Sequence, residues 1–110
     1  MKNEQRFSFY ITRGLLDLIE NELKQDLKVL VEKAVLWGRE PGRQFPHDVA
    51  PDKMIPRPMW LDVDMVSWIR SRIPLRCRSG VVERMLINWL IAHDWVKPEA
   101  LAKKELLCSA

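Results

Sequence analysis

The stretch Trp60-Leu61-Asp62-Val63-Asp64-Met65-Val66-Ser67-Trp68-Ile69, followed by Arg78-Ser79-Gly80-Val81-Val82-Glu83-Arg84-Met85-Leu86, decides how the chain is read. Leu61 is followed at once by Asp62, whose carboxylate can accept hydrogen bonds from the free amides of a first helical turn. Behind that cap, Met65, Val66 and Ile69 fall at helical spacing. A basic segment containing Pro74 then breaks the helix. Ser79 is expected to cap a second helix, with Val81, Val82, Met85, Leu86, Trp89 and Leu90 on its apolar face. The order is a short strand, a short helix, a turn and a longer helix.

The same order recurs nearer the N-terminus. Phe7, Phe9 and Ile11 alternate with Arg6, Ser8 and Tyr10, the period of a half-buried strand. Thr12 is positioned to cap a helix. Leu15, Leu16 and Ile19 follow Ile11 at the spacing at which Met65, Val66 and Ile69 follow Leu61. Asp26 can cap a second helix carrying Leu27, Leu30, Val31, Ala34 and Val35, and Gly38 is a natural stop. An internal repeat of this kind bears on the whole fold. The alternative is that residues 1–38 form a helical hairpin that caps or oligomerises a single motif.

The skeleton resembles the ribbon-helix-helix family, the Arc- and MetJ-like DNA-binding proteins. In that family an alternating strand ends in an apolar residue before a polar cap, and an Arg-Ser pair often opens the second helix. Leu61 with Met65, Val66 and Ile69, and Arg78-Ser79 with Val81-Val82 and Met85-Leu86, match that pattern. The resemblance implies a mainly α fold with a short antiparallel two-stranded β-ribbon, present as a tandem ribbon-helix-helix in one domain spanning 1–110. The first copy is 6–38, the linker 39–55, the second copy 56–96 and a short helical tail 97–110. A two-stranded ribbon is not stable alone, and family members pair the strands of two chains. Two copies in one chain can pair their own strands, and the linker, with Pro41, Gly42, Pro46 and Pro51, is long enough for the return.

In the family the paired strands enter the DNA major groove. Carried over, the resemblance makes Arg6, Ser8 and Tyr10 base-contacting residues of the first strand. Arg6 suits guanine, the commonest specific contact. The second strand departs from the pattern. Counting back from Leu61, its outward positions are Trp60, Pro58 and Pro56, and prolines belong on free strand edges. Trp60, and Arg57 from a frayed strand end, are its remaining candidates, so an asymmetric reader is expected. The start of the second helix is expected to grip phosphate through Arg76, Arg78, Ser79 and Gly80, with Arg70 and Arg72 adding charge nearby.

Composition sets the outer limits. The chain has 110 residues, 47% of them hydrophobic, and a formal charge of +3, which permits a polyanionic partner without demanding one. Five tryptophans are expected mostly in the core. Cys77 and Cys108 lack metal-ligand spacing to each other or to His47 and His93, and read as free thiols. His93 reads as a partner of its helix's C-terminus. No apolar run reaches bilayer length, and Met1-Lys2-Asn3-Glu4 opens no signal peptide. No phosphate loop, carboxylate pair or Cys–His arrangement points to an enzyme.

The expectation is therefore a cytoplasmic, nucleoid-associated transcription regulator that binds double-stranded DNA and can form a homo-oligomer on it. It carries no catalytic residue, metal, cofactor, membrane span or small-molecule substrate. Tandem copies resemble transfer-region proteins of conjugative plasmids. The alternatives are a relaxosome accessory protein, an antitoxin-type interaction module whose tail neutralises a partner, and a purely structural helical adaptor.

Overall fold

The computed structural model describes residues 3–108; Met1, Lys2, Ser109 and Ala110, with the parts of the leader and tail readings that fall on them, lie outside the described residues. About half of the chain is helical, and its strands pair antiparallel two by two. In order, the elements are β1 (Glu4–Phe7), β2 (Tyr10–Thr12), α1 (Arg13–Asp17), α2 (Leu27–Gly38), β3 (Met54–Pro56), β4 (Met59–Asp62), α3 (Val63–Arg72), α4 (Arg78–Ala92) and α5 (Pro98–Lys103). A π-turn, Leu18–Glu22, extends α1, and a 3-10 turn, Leu75–Cys77, leads into α4.

β1 pairs with β4, from Glu4↔Asp62 to Phe7↔Met59, and β2 pairs with β3, from Tyr10↔Pro56 to Thr12↔Met54. The two pairings share one register. Continued past Phe7↔Met59, it sets Ser8 opposite Pro58 and Phe9 opposite Arg57. The Arg57 amide donates to the Phe9 carbonyl at 2.8 Å. Both strands are therefore longer than residues 6–11 and 56–61, and β3 begins inside the stretch expected to be linker. The register is symmetric about the Ser8–Pro58 position, since Gln5↔Leu61 on one side answers Ile11↔Ile55 on the other.

The prolines do not spoil this ribbon, contrary to the doubt that sequence raised. In an antiparallel pair, residues alternate between positions that exchange ladder bonds and positions whose amides point away from the partner. The bond from Arg57 to Phe9 fixes the parity and puts Pro56 and Pro58 at outward-pointing positions. Neither proline removes a ladder bond there. Arg57 is correspondingly held in the middle of the ribbon, not at a frayed end.

One face of the ribbon is dry. Phe7, Phe9, Ile11, Met59 and Leu61 are buried and form one core with the inner sides of the helices. Leu15, Leu16 and Ile19 of the first half and Met65, Val66 and Ile69 of the second are all buried, as their spacing predicts. Leu18, three residues after Leu15 and on the same helical face, joins them, and the π-turn follows it, with the Leu23 amide reaching back to the Leu18 carbonyl. Five tryptophans contribute less core than expected: Trp89 is buried, Trp37 and Trp68 are half-buried, and Trp60 and Trp95 are exposed.

Helix ends follow local chemistry, with two corrections. Asp26 and Asp62 cap α2 and α3 by accepting from the Lys28 and Asp64 amides, each at 2.9 Å. α3 stops because Ile73 precedes Pro74, which favours the extended conformation Ile73 adopts. Thr12 sits at the cap position of α1, but its hydroxyl makes no cap bond; Asp52 accepts from the Gly14 amide instead. Ser79 is likewise not the cap of α4, which begins at Arg78. Gly38 ends α2 without a left-handed turn. A Cβ there would lie 2.9 Å from Met85 Cγ and Sδ, so α2 and α4 approach closely at Gly38 and a larger residue would make the Met85 side chain shift.

The linker and tail are fastened down. Asn88 of α4 clamps His47, accepting from its amide and donating to its carbonyl. The Ala50 amide donates to Leu106, and the Cys108 amide to Asp48. Leu101 of α5 is buried, and Leu106 and Leu107 pack against the core. Cys77 and Cys108 are free and exposed. His93 follows α4 with Nδ1 2.9 Å from the Trp89 carbonyl and its ring stacked on Trp89. Among the described residues, no helix is long and apolar enough to cross a membrane.

Candidate nucleic-acid interface

The outer face of the ribbon is built by the same alternation that builds the core. Arg6, Ser8 and Tyr10 of the first strand and Pro56, Pro58 and Trp60 of the second are all exposed. Arg6 lies directly across from Trp60, and Tyr10 across from Pro56. Arg6 approaches Ser8 at 3.5 Å, a contact too long to hold the guanidinium in one place. Tyr10 is 48% and Trp60 57% exposed, large values for aromatic residues in paired strands. The face therefore offers a guanidinium, two hydroxyls, an indole N–H and apolar ring surface.

Arg57, also expected among the base-contacting residues, is placed elsewhere. Its parity is that of the inner face, and its side chain escapes sideways. One guanidinium nitrogen donates to the Pro56 carbonyl, and the other lies 3.8 Å from Glu20. It lines a groove with Glu20, Asp26, Leu27 and Lys28, away from Arg6, Ser8 and Tyr10.

Along the outer edge of the first strand, α4 is bolted to the ribbon. The Tyr10 amide, at an outward-pointing position, donates to Ser79 Oγ at 3.0 Å. One helical turn on, the Thr12 amide donates to Glu83 Oε2 at 2.6 Å. Glu83 is buried, and desolvation pushes its carboxyl above its ordinary range, while the Thr12 amide and hydroxyl pull the other way. That hydroxyl still lacks a well-aligned partner. These two bonds fix the start of α4 beside the exposed ribbon face.

A cleft of about 330 Å³ opens there, lined by Phe7, Ser8, Tyr10, Arg70, Leu75, Arg76, Arg78 and Ser79. It joins Ser8 and Tyr10 of the ribbon to Arg76, Arg78 and Ser79, which sequence had assigned to a separate phosphate contact. Arg78 is already engaged: its Nε donates to Ile73 O at 3.1 Å and its Nη2 to Arg70 O at 3.3 Å, tying the end of α3 to the start of α4. Arg70 and Arg76 are exposed and form no ion pair among the described residues. Ser79 Oγ accepts from Tyr10 and keeps its own proton to donate. Gly80 faces open space, with nothing within 4 Å of where a Cβ would stand.

Arg70 and Leu75 complete this cleft. Arg70 was visible in the sequence only as nearby charge. Leu75, 75% exposed beside Pro74, carried no signal of its own. Three arginines and no carboxylate line the cleft. Chemically it can hold an extended anion, with hydroxyls from Ser8, Tyr10 and Ser79 as further donors. No group of three His, Cys, Asp or Glu side chains among the described residues could hold a metal ion. No family model, no curated protein and no solved structure matches the chain.

Proposed function

We propose that this chain is a sequence-specific double-stranded-DNA-binding regulator of tandem ribbon-helix-helix architecture. In this reading its β-ribbon enters the major groove, and the start of α4 grips the phosphate backbone. The observation that carries it is the continuity of two surfaces. The exposed ribbon face bearing Arg6, Ser8 and Tyr10 runs directly into the cleft lined by Arg70, Arg76 and Ser79. A ribbon supplies groove-reading side chains, and a helix start with arginines supplies backbone contacts. The register, symmetric about Ser8 and Pro58, supports a tandem pair built within one chain.

Arg6 carries base recognition, with Ser8, Tyr10 and Trp60 beside it. Arg76 and Arg70 carry the backbone contact, helped by Ser79 and Gly80. Arg78 positions the turn that presents them. Arg57, paired with Glu20, has no part in base reading. Control of transfer genes on a mobile element, or a relaxosome accessory role, rests on the family resemblance alone. The antitoxin reading gains nothing from the fold, because Leu101, Leu106 and Leu107 hold the tail against the body.

The test is enrichment from a random duplex pool, followed by fluorescence-anisotropy titration of the recovered duplex at two salt concentrations. The expected result is an enriched motif, a steep salt dependence, and loss of selectivity in Arg6→Ala. Failure to enrich any motif, or a motif bound equally well by Arg6→Ala, overturns the proposal.

A further inference from the structure

The two flanks of the ribbon are built alike and differ in charge: three arginines line one, and two carboxylates balance two cations on the other. Beside the first strand, the α4 start forms the cleft with Arg70, Arg76 and Arg78. Beside the second strand, the α2 start forms a groove with Glu20, Asp26 and Lys28, bordered by Arg57, Pro58 and Met59. Glu20 stands as far beyond Ile11 as Arg70 stands beyond Leu61. The cations on this second flank are already matched: Lys28 Nζ lies 2.7 Å from Glu4, and Arg57 lies 3.8 Å from Glu20. The Asp26 carboxylate caps its own helix at the point where a phosphate would otherwise meet the α2 amides.

The ribbon's outer face is uneven in the same sense. The first strand presents Arg6, Ser8 and Tyr10, all able to donate. The second presents Pro56 and Pro58, which offer no side-chain hydrogen bond, and Trp60, which offers one.

We infer that the ligand is a non-palindromic duplex site, gripped through one of the two phosphate backbones that border the groove. The α4 flank holds one backbone by charge. The α2 flank, whose cations are matched by carboxylates, meets the other with no net positive charge and contributes no grip. Arg6 and Trp60 face each other on one side of Ser8–Pro58, and Tyr10 and Pro56 on the other. One half of the site therefore meets a guanidinium and an indole, and the other a phenol and a proline ring, whose apolar surfaces suit a contact such as a thymine methyl. This inference rests on the DNA-binding reading above.

Phosphate-ethylation interference on the enriched duplex tests it, together with Glu20→Arg, which makes the exposed second flank net positive like the first. The expected result is interference confined to one backbone of the groove and a sequence motif without two-fold symmetry. Glu20→Arg should tighten binding about tenfold, steepen the salt dependence by about one released ion, and create interference on the second backbone. Interference of equal strength on both backbones with the parent chain overturns the inference. So does a Glu20→Arg protein, folded by circular dichroism, whose affinity and salt dependence match the parent's. Failure of the parent to enrich any duplex is a different result, and overturns the DNA reading itself.

Discussion

The ribbon has two long edges, and comparing them separates what holds the fold from what makes the surface. The inner sides match: Phe7, Phe9 and Ile11 on one strand and Met59 and Leu61 on the other are buried alike. The outer edges differ. The first strand gives two outward amides to α4, through Ser79 and Glu83. The second strand has prolines at two such positions and, among the described residues, no side-chain bond from α2. A core demands only apolar volume from both halves, so it stays symmetric. An edge demands specific donors, acceptors and charges, and these need not be alike.

The largest effects should fall on the shared core. Ile11→Ala and Leu61→Ala each remove a fully buried side chain at corresponding places, so each should cost about 2–5 kcal/mol in urea unfolding. A clear inequality between them would break the equivalence of the halves. On the edges the comparison should turn unequal. Glu83→Ala leaves the buried Thr12 amide without its acceptor and should cost about 1–3 kcal/mol. Lys28→Ala, which removes only an exposed contact with Glu4, should cost much less. Equal losses would mean that α4 is not the better anchored flank.

Binding should sharpen the difference further. Arg76→Ala should weaken the enriched duplex about tenfold, roughly 1.4 kcal/mol, and lower its salt slope by about one. Glu20→Gln should not weaken it, and a loss there equal to that of Arg76→Ala would erase the contrast between flanks.

The smallest expected effect is a pH dependence at Glu83. Burial disfavours its charged form, so the folded protein holds this proton more tightly than the unfolded chain does. Its contribution is therefore most favourable below the ordinary glutamate value of 4.5 and declines as pH rises through the window above it. Glu83→Gln keeps an acceptor for Thr12 and should flatten that part of the stability–pH curve. An unchanged curve would assign the slope to other groups.

What could be read from sequence was whatever depends on neighbours along the chain. Alternation placed Phe7, Phe9 and Ile11 inside and Arg6, Ser8 and Tyr10 outside. Asp26 and Asp62 announced their helices because a cap needs only the next two amides. What escaped depends on partners far away. The tolerance of Pro56 and Pro58 follows from their parity against a strand nearly fifty residues earlier, which no local rule reveals. Ser79 resembles a cap until Tyr10 takes its oxygen from across the molecule. Arg78 resembles a free cation until the carbonyls of Arg70 and Ile73 claim it. Tryptophans as a class were expected mostly in the core, yet Trp95 is exposed and Trp37 and Trp68 are only half-buried, because position overruled type.

The pairing of β1 with β4 and of β2 with β3 within one chain has a consequence for how this surface can change. A ribbon made from two identical chains carries every substitution twice, once on each side of its symmetry axis. An arginine gained for one contact is then imposed on the other, whether or not it is wanted there. Here a change at Arg70 leaves Glu20 untouched, and a change at Tyr10 leaves Trp60 untouched. With both strands in one chain, each flank can drift toward its own chemistry, while the apolar interior they share keeps the strands in register.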